Sequence, residues 1–458
     1  MKTPRAKPAE LNFGHPPETI RFWKRLVREA LRISGSTPLY VCSTLPIAER
    51  IAELDAAFAS AGLNSALRAP HSEFPLVRHW LSCKTQPVRP LLRWWRKRGG
   101  DIEVVSEFEL RAALTEGFAP GRILVNGPAK HHWLPRLPLR GLSVNFDSAA
   151  EIKALLPLAK KLNWRVGIRI CTSEEFDPEN PKSPPQFGFM PDEAVAAMRQ
   201  LKWAKVEAQI VHFHLRTNVA SPEIYGRAIR EVAQVCRAAK VCPKFLDIGG
   251  GLPPGHTLSR GGEVFDAGWL DARSSRRKEA PSENDSKVSL LTSAATGLGE
   301  FAAMLARTAK LFPDLREIWL ENGRFISAGS GVLVVTVLDV KERRGVRQLI
   351  CDGGRTMNAM ISNWEQHELL MLPERKGSHV LTAVCGPTCM AFDQLAMRPL
   401  PRAIRAGDRL VWLEAGAYHI PWETRFSHGH AAVAWHDERG LRLARERQDF
   451  EEWWGVWR

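Results

Sequence analysis

The sequence predicts a parallel β/α barrel followed by a mostly antiparallel β domain, and three observations carry that prediction. Short apolar runs at Ile102–Val105, Ile123–Val125, Leu142–Val144, Val166–Ile170, Ile210–Phe213, Phe245–Ile248 and Ile318–Leu320 alternate with stretches of helical periodicity. That is the pattern of repeated strand–helix units. After Arg324 apolar runs follow one another instead, at Val332–Val340, Gln348–Cys351, Val380–Val384, Leu410–Leu413 and Ala431–Trp435, a switch that marks a second domain. Between the two, Phe245-Leu246-Asp247-Ile248 runs into Gly249-Gly250-Gly251. Without Cβ atoms, successive N–H groups can converge on an anion, so this reads as a strand leading into a phosphate loop.

The elements follow in order. Pro16-Pro17-Glu18-Thr19 precedes apolar residues at helical spacing (Ile20, Trp23, Val27, Ala30, Leu31) and Gly35 closes the segment, so residues 1–36 form an N-terminal helical unit expected to pack on the β domain. The barrel domain is expected over 37–325, beginning with an extended Leu39–Cys42 and a helix carrying Ile47, Ile51, Leu54 and Phe58. It is interrupted at about 256–293 by Ser, Gly and interspersed charge, the composition of an exposed insertion. Residues 326–458 make up the β domain, whose terminal Trp453, Trp454 and Trp457 are expected to pack against the body.

With 44% hydrophobic and 25% charged residues, the chain has the composition of a globular protein large enough for two cores. No signal core and no span long enough for a membrane is present, so a cytoplasmic protein without membrane partners is expected. The eight cysteines lack ligand or framework spacing, which argues against a metal site and against disulfides. A formal net charge of +14 favours an acidic partner. The basic–aromatic run Arg93-Trp94-Trp95-Arg96-Lys97-Arg98 falls on an expected helix and reads as its solvated face, which disfavours nucleic acid.

Around the glycine run lie Ser82-Cys83-Lys84, His212-Phe213-His214, Glu321-Asn322-Gly323-Arg324, Cys385-Gly386-Pro387-Thr388-Cys389 and Gly416-Ala417-Tyr418. In this order and spacing the set resembles the fold-type III pyridoxal-phosphate enzymes, specifically the diaminopimelate/ornithine decarboxylase family. The resemblance covers about Thr37 to Gly429 and implies a TIM-type, alanine-racemase-like barrel with pyridoxal 5'-phosphate as cofactor. It implies that Lys84 carries the cofactor, that His214 lies against its ring, that Glu321 faces the pyridine nitrogen, and that Gly249, Gly250, Gly251, Thr217, Gly323, Arg324 and Tyr418 hold its phosphate. Arg169 and Glu109 match further family positions. Cys389 resembles the cysteine that the partner subunit supplies as a proton donor, so a homodimer with shared active sites is implied. Three motifs depart from the family: Thr85-Gln86 follows the lysine, Arg216-Thr217 replaces Gly-Ser, and Asn322 replaces a proline.

The substrate end departs further. Where the family has an acidic residue after the cysteine to engage a distal amine, this chain has Met390; Asp352 and Arg355 are left as candidate contacts to a distal amine or a distal anion. The expected activity is decarboxylation of an amino acid or amino-acid conjugate other than free ornithine or diaminopimelate, of the kind met in siderophore or other specialised-metabolite biosynthesis, with an acidic carrier protein as a candidate partner. A non-catalytic regulatory homologue and a pyridoxal-phosphate racemase are the alternatives.

Overall fold

The computed structural model describes residues 13–65, 75–176, 183–219, 221–259, 289–358, 360–361 and 365–457. They fall into two compact units, one of Ala48–Gly255 with Asp266–Ile326, the other of Met1–Ile47, His256–Phe265 and Ser327–Arg458. The first strand, β1 (Leu39–Ser43), corrects the boundary read from the sequence: it belongs to the second unit and not to the barrel. It is buried throughout, pairing antiparallel with Gly331–Arg343 on one side and parallel with Ala432–Asp437 on the other.

The barrel strands are β2 (Leu76–Ser82), β3 (Asp101–Val104), β4 (Ile123–Val125), β5 (Ser143–Phe146), β6 (Arg165–Arg169), β7 (Ala208–His212), β8 (Phe245–Asp247) and β9 (Glu317–Asn322). Each pairs parallel with the next, and β9 returns to β2, Glu317 opposite Leu76 through Asn322 opposite Leu81, closing an eight-stranded parallel barrel. The helices after β3 and β5 begin where Ser106 and Ser148 hydroxyls accept the N–H groups of Glu109 and Glu151, satisfying donors that a helix start leaves open. Inside, Trp80, Leu124, Ile210, Phe245 and Trp319 form one apolar layer, each buried side chain contributing on the order of 2–3 kcal/mol. Strand side chains alternate with period two, so the residues two positions further on point inward again, one layer nearer the C-terminal mouth. Those residues are Ser82, Asn126, His212, Asp247 and Glu321: the barrel changes from apolar to polar in one step.

In the second unit β10 (Gly331–Arg343) pairs antiparallel with β11 (Val346–Cys351), β15 (Arg409–Trp412) and β1; β12 (Leu369–Leu372) pairs with β15, β13 (His379–Cys385) with β14 (Gln394–Pro401), and β16 (Ala432–Asp437) with β17 (Gly440–Arg445). Among the described residues of this unit only β1–β16 and β11–β13 run parallel. The helix Pro17–Ser34 lays Trp23, Leu26, Val27 and Ala30 on Leu39, Val41, Val332, Val334, Val411 and Ala434 of this sheet. It ends at Gly35 with φ +68°, a left-handed cap that favours glycine.

Of the stretch 256–293, residues 260–288 lie outside the described residues; the helix Ser289–Ala309 already begins within it. Trp94 and Trp95 are buried on the helix Arg89–Lys97, while Arg93 pairs with Glu116 outside. At the C-terminus Trp453 donates to the Arg425 carbonyl, but Trp454 and Trp457 are 53% and 62% exposed, contrary to the packing expected for them. All eight cysteines are free thiols, Cys242 and Cys389 exposed. Among the described residues no helix is long and apolar enough to cross a membrane.

Candidate active site

Lys84 sits in the short turn Cys83–Thr85 that leaves β2 at the C-terminal mouth of the barrel. Its Nζ lies 3.4 and 3.5 Å from the two oxygens of Glu103, a fully buried carboxylate that also accepts the Ser82 hydroxyl at 2.6 Å. Glu103 was not singled out in the sequence, though a single charge inside the apolar run Ile102–Val105 is the signal that finds it.

Next to this pair the polar layer closes on itself. Asn126 donates its amide to Glu321 and, at 3.4 Å, to Glu103; Asn145 donates to Asn126 at 2.9 Å and to Asp247 at 3.1 Å; Asp247 in turn hydrogen-bonds Glu321. His212 Nε2 and His214 Nδ1 lie 3.3 and 3.4 Å from the Glu321 carboxylate. Burial opposes charge on every member, and the network decides which one keeps it. Burial pushes Asp247 well above the usual carboxylate range and the Glu321 charge adds to that, so Asp247 is the neutral acid of the pair. Burial also pushes against Glu321, but His212, His214 and Lys84 outweigh it and hold Glu321 well below the usual range. Burial drives the fully buried His212 well below its ordinary value, and the Glu321 charge pulls it the other way. Glu321 is thus an ionised carboxylate in a dry, hydrogen-bonded setting at the centre of the mouth. Lys84 and Glu321 are thereby tied into one network through Glu103 and Asn126.

The glycine loop stands beside it. Gly249 and Gly251 have φ of +64° and +103°, and a Cβ on Gly249 would come within 2.5 Å of His214 Nδ1, one on Gly250 within 2.9 Å of the Glu321 carbonyl. Gly250 N–H donates to His214 Nδ1 at 3.2 Å and Tyr225 O–H to the Gly250 carbonyl at 2.9 Å. A small cavity of about 20 Å³ opens on this loop, lined also by Gly323 and Arg324. Thr217 is exposed in the turn after His214 and does not line that cavity. Arg169 lies 4.0 Å from both Asp147 and Glu175.

Glu109 caps the Val105 N–H at 2.7 Å, and its carboxyl is pushed up to about 7 by burial and the neighbouring Glu103 charge, against the pull of Lys84. Because the folded state then binds the proton more tightly than the unfolded chain, stability is greatest at low pH and falls as pH rises from about 4.5 to about 7. Glu109→Gln is expected to remove that slope, on the order of 2–3 kcal/mol across the window; denaturant unfolding of the cofactor-free protein at pH 5 and 7.5 measures it, and an unchanged slope overturns the assignment.

The remaining candidates lie in the β domain. On the loop between β13 and β14 Cys389 is exposed and Met390 half-buried. Asp393 pins this loop: one oxygen accepts the Thr388 N–H (3.0 Å) and hydroxyl (2.6 Å), the other the Arg355 N–H (2.7 Å). Arg355 itself lies over the Phe392 ring at 4.9 Å. Asp352 accepts the Thr37 hydroxyl at 2.5 Å and the Thr336 N–H at 2.8 Å, so its carboxylate is engaged within the domain. Tyr418 is half-buried with φ +67°, ahead of the short helix His419–Trp422.

Residues 61–328 match the family described as pyridoxal-dependent decarboxylase, pyridoxal binding domain. A diaminopimelate decarboxylase of Campylobacter jejuni is 26% identical over 441 residues, 92% of this chain and 96% of that one; one of Actinosynnema pretiosum is 28% identical over 367 residues, 77% and 76%. The fold is shared with diaminopimelate decarboxylase from Helicobacter pylori complexed with L-lysine (TM-score 0.71, 21% identity, 94% and 98% of the two chains) and with lysine/ornithine decarboxylase from Vibrio vulnificus complexed with cadaverine (0.66, 19%, 88% and 95%). The donor set answers what pyridoxal phosphate requires: an amine for its aldehyde, a loop whose Cβ-free backbone admits a phosphate, and an ionised carboxylate for its ring nitrogen.

Proposed function

The chain belongs to the pyridoxal-dependent decarboxylases, and from that premise we propose that it removes the α-carboxylate of an amino acid or amino-acid conjugate other than free ornithine or diaminopimelate. The observation that carries the site assignment is the placement of Lys84, against buried Glu103 and linked through Asn126 to Glu321, at the mouth of the barrel beside the glycine loop.

Bound there, pyridoxal phosphate supplies the electron sink that takes up the electron pair released as CO₂ leaves. Lys84 holds the cofactor through its aldehyde carbon, and Glu103 keeps the amine oriented. Glu321, kept ionised, retains a proton on the ring nitrogen. His214 supports the ring face. The backbone of Gly249–Gly251, with Gly323, Arg324 and Tyr418, receives the phosphate; Thr217 and Tyr418 are the two candidates for that role that do not line the cavity on the glycine loop. The proton that replaces the lost carboxylate comes from the thiol of the partner subunit's Cys389, held in place by the Asp393 clasp on its loop. This makes the functional unit a homodimer with shared sites.

Substrate choice rests on the β-domain loops. Met390 offers no charge to a distal amine, Asp352 is occupied by Thr37 and Thr336, and Arg355 leaves a cation against an aromatic ring. That favours a substrate whose far end is apolar or anionic, such as a conjugated intermediate of specialised-metabolite biosynthesis, including one carried on an acidic protein. The test is CO₂ release by the cofactor-loaded protein, followed by mass spectrometry over amino acids, diaminopimelate and acidic or acylated conjugates. Turnover fastest on diaminopimelate or ornithine would overturn the substrate reading and leave the decarboxylase intact. Cofactor binding with no CO₂ from any substrate would instead favour the regulatory homologue.

A further inference from the structure

The β domain holds a second cavity, of about 160 Å³, that none of the groups above line: Ile361, Gln366, His367, Gln394, Arg398 and Trp412 are among its walls. Arg398 is 7% exposed. Its guanidinium lies between the rings of Phe13 (5.5 Å) and Trp412 (5.2 Å), and one terminal nitrogen donates to the His367 carbonyl at 2.8 Å. The other, Nη2, is buried without a hydrogen-bond partner, and so is Trp412 Nε1 on the same wall. The His367 ring cannot answer them, since its two nitrogens are engaged by the Leu413 carbonyl and Glu365.

A guanidinium buried without a bonded counter-charge is costly, as is a buried indole N–H without an acceptor. Burial lowers Arg398 to about 10, with Glu368 opposing at longer range, so it remains cationic at neutral pH. Two unbonded donors on residues lining one cavity, one charged and one neutral, match one planar group carrying a single negative charge. A phosphate dianion would bring a second negative charge near Glu365, the partner of the lining His367, and near Glu368, which already acts on Arg398. The cavity volume admits a molecule of a few heavy atoms.

We propose that this cavity binds a small monocarboxylate, its oxygens taken by Arg398 Nη2 and Trp412 Nε1. The cavity shares no lining residue with the one on the glycine loop, and the proposal is independent of the decarboxylase reading.

The experiment titrates the full-length, cofactor-loaded protein with ¹³C-labelled acetate and with glycolate, using phosphate and chloride at matched ionic strength as controls. NMR line broadening and the thermal midpoint read binding, and cofactor absorption reads the barrel site. Saturable carboxylate binding that leaves cofactor absorption unchanged is expected, weakened at least about tenfold in Arg398→Met and in Trp412→Phe, each of which removes one donor. Arg398→Met keeps the side-chain length and removes an uncompensated buried cation, and Trp412→Phe keeps an aromatic ring, so both are expected to fold; circular dichroism verifies it. No saturable binding, equal affinity in both variants, equal affinity for phosphate, or binding seen only through the cofactor spectrum would each overturn the proposal.

Discussion

Lys84→Ala protein is expected to release CO₂ at least about a thousandfold more slowly than the native chain, because loss of a covalent anchor removes a step that no neighbouring group can supply. The residue is also half of a pair: Glu103 is fully buried and Lys84 Nζ is the cation beside it. Removing one partner of a buried pair costs stability, but the lysine side chain is 35% exposed, so solvent already screens part of the attraction and about 1 kcal/mol is the expected loss. Borohydride treatment of native protein should fix a pyridoxyl group on the peptide carrying Lys84 and on no other, and the variant should take up none there. Label on a different lysine, or full turnover by the variant, ends the assignment. Mixing Lys84→Ala with Cys389→Ala protein extends the test to assembly: if sites are shared across a two-fold dimer, random exchange places both lesions in one site and restores at most about a quarter of native activity. No recovery after proven exchange would mean that the two residues act within one chain.

Glu321→Gln is the second large effect, expected to lower turnover by about a hundred- to a thousandfold while the cofactor still binds, since the electrostatic role goes and the phosphate loop stays. The amide cannot carry the charge that Asp247, Asn126 and the two histidines are arranged around. Asp247 should respond as well. With the neighbouring charge gone, the Glu321 contribution to raising its carboxyl disappears, leaving burial and the Glu103 charge. Cofactor affinity within about tenfold of native with turnover collapsed is the result that fits; unchanged turnover would show that Glu321 does not face the ring.

How much of this was legible beforehand follows from which signals are local. The barrel strands are short apolar runs between helices, and each reads as such because burial on both faces leaves no alternation. β1 carries the same signature, and nothing inside Leu39–Ser43 says that its neighbours are Val334 and Ala432 and not a barrel strand. Pairing partners are a tertiary fact. The glycines, Lys84 and Glu321 stand out because each is an uncommon residue for its run or belongs to a spaced motif. Asn126, Asn145 and Asp247 are ordinary polar residues at strand ends. Only the two-residue step from Leu124 and Phe245 puts Asn126 and Asp247 on the inward face, and that step needs the strand register first. Trp454 and Trp457 were misread for the opposite reason: large aromatic rings raise the expectation of burial, yet their ring contacts among the described residues are to Phe450 and Trp453 of the same terminal segment, and both stay more than half exposed.

The position of β1 also sets an order of events on the ribosome. Barrel closure needs the chain only as far as β9, whereas β1 and the apolar face of the Pro17–Ser34 helix meet their partners roughly 300 and 400 residues downstream, in β10 and β16. At bacterial-to-eukaryotic elongation rates of about 5–20 residues per second, Trp23, Leu26 and Val27 wait about 20–80 s in solvent before the last of those strands emerges. The nascent protein therefore passes through a stage in which a closed barrel trails an unshielded helix and a strand with two open edges, a natural client for a holding chaperone.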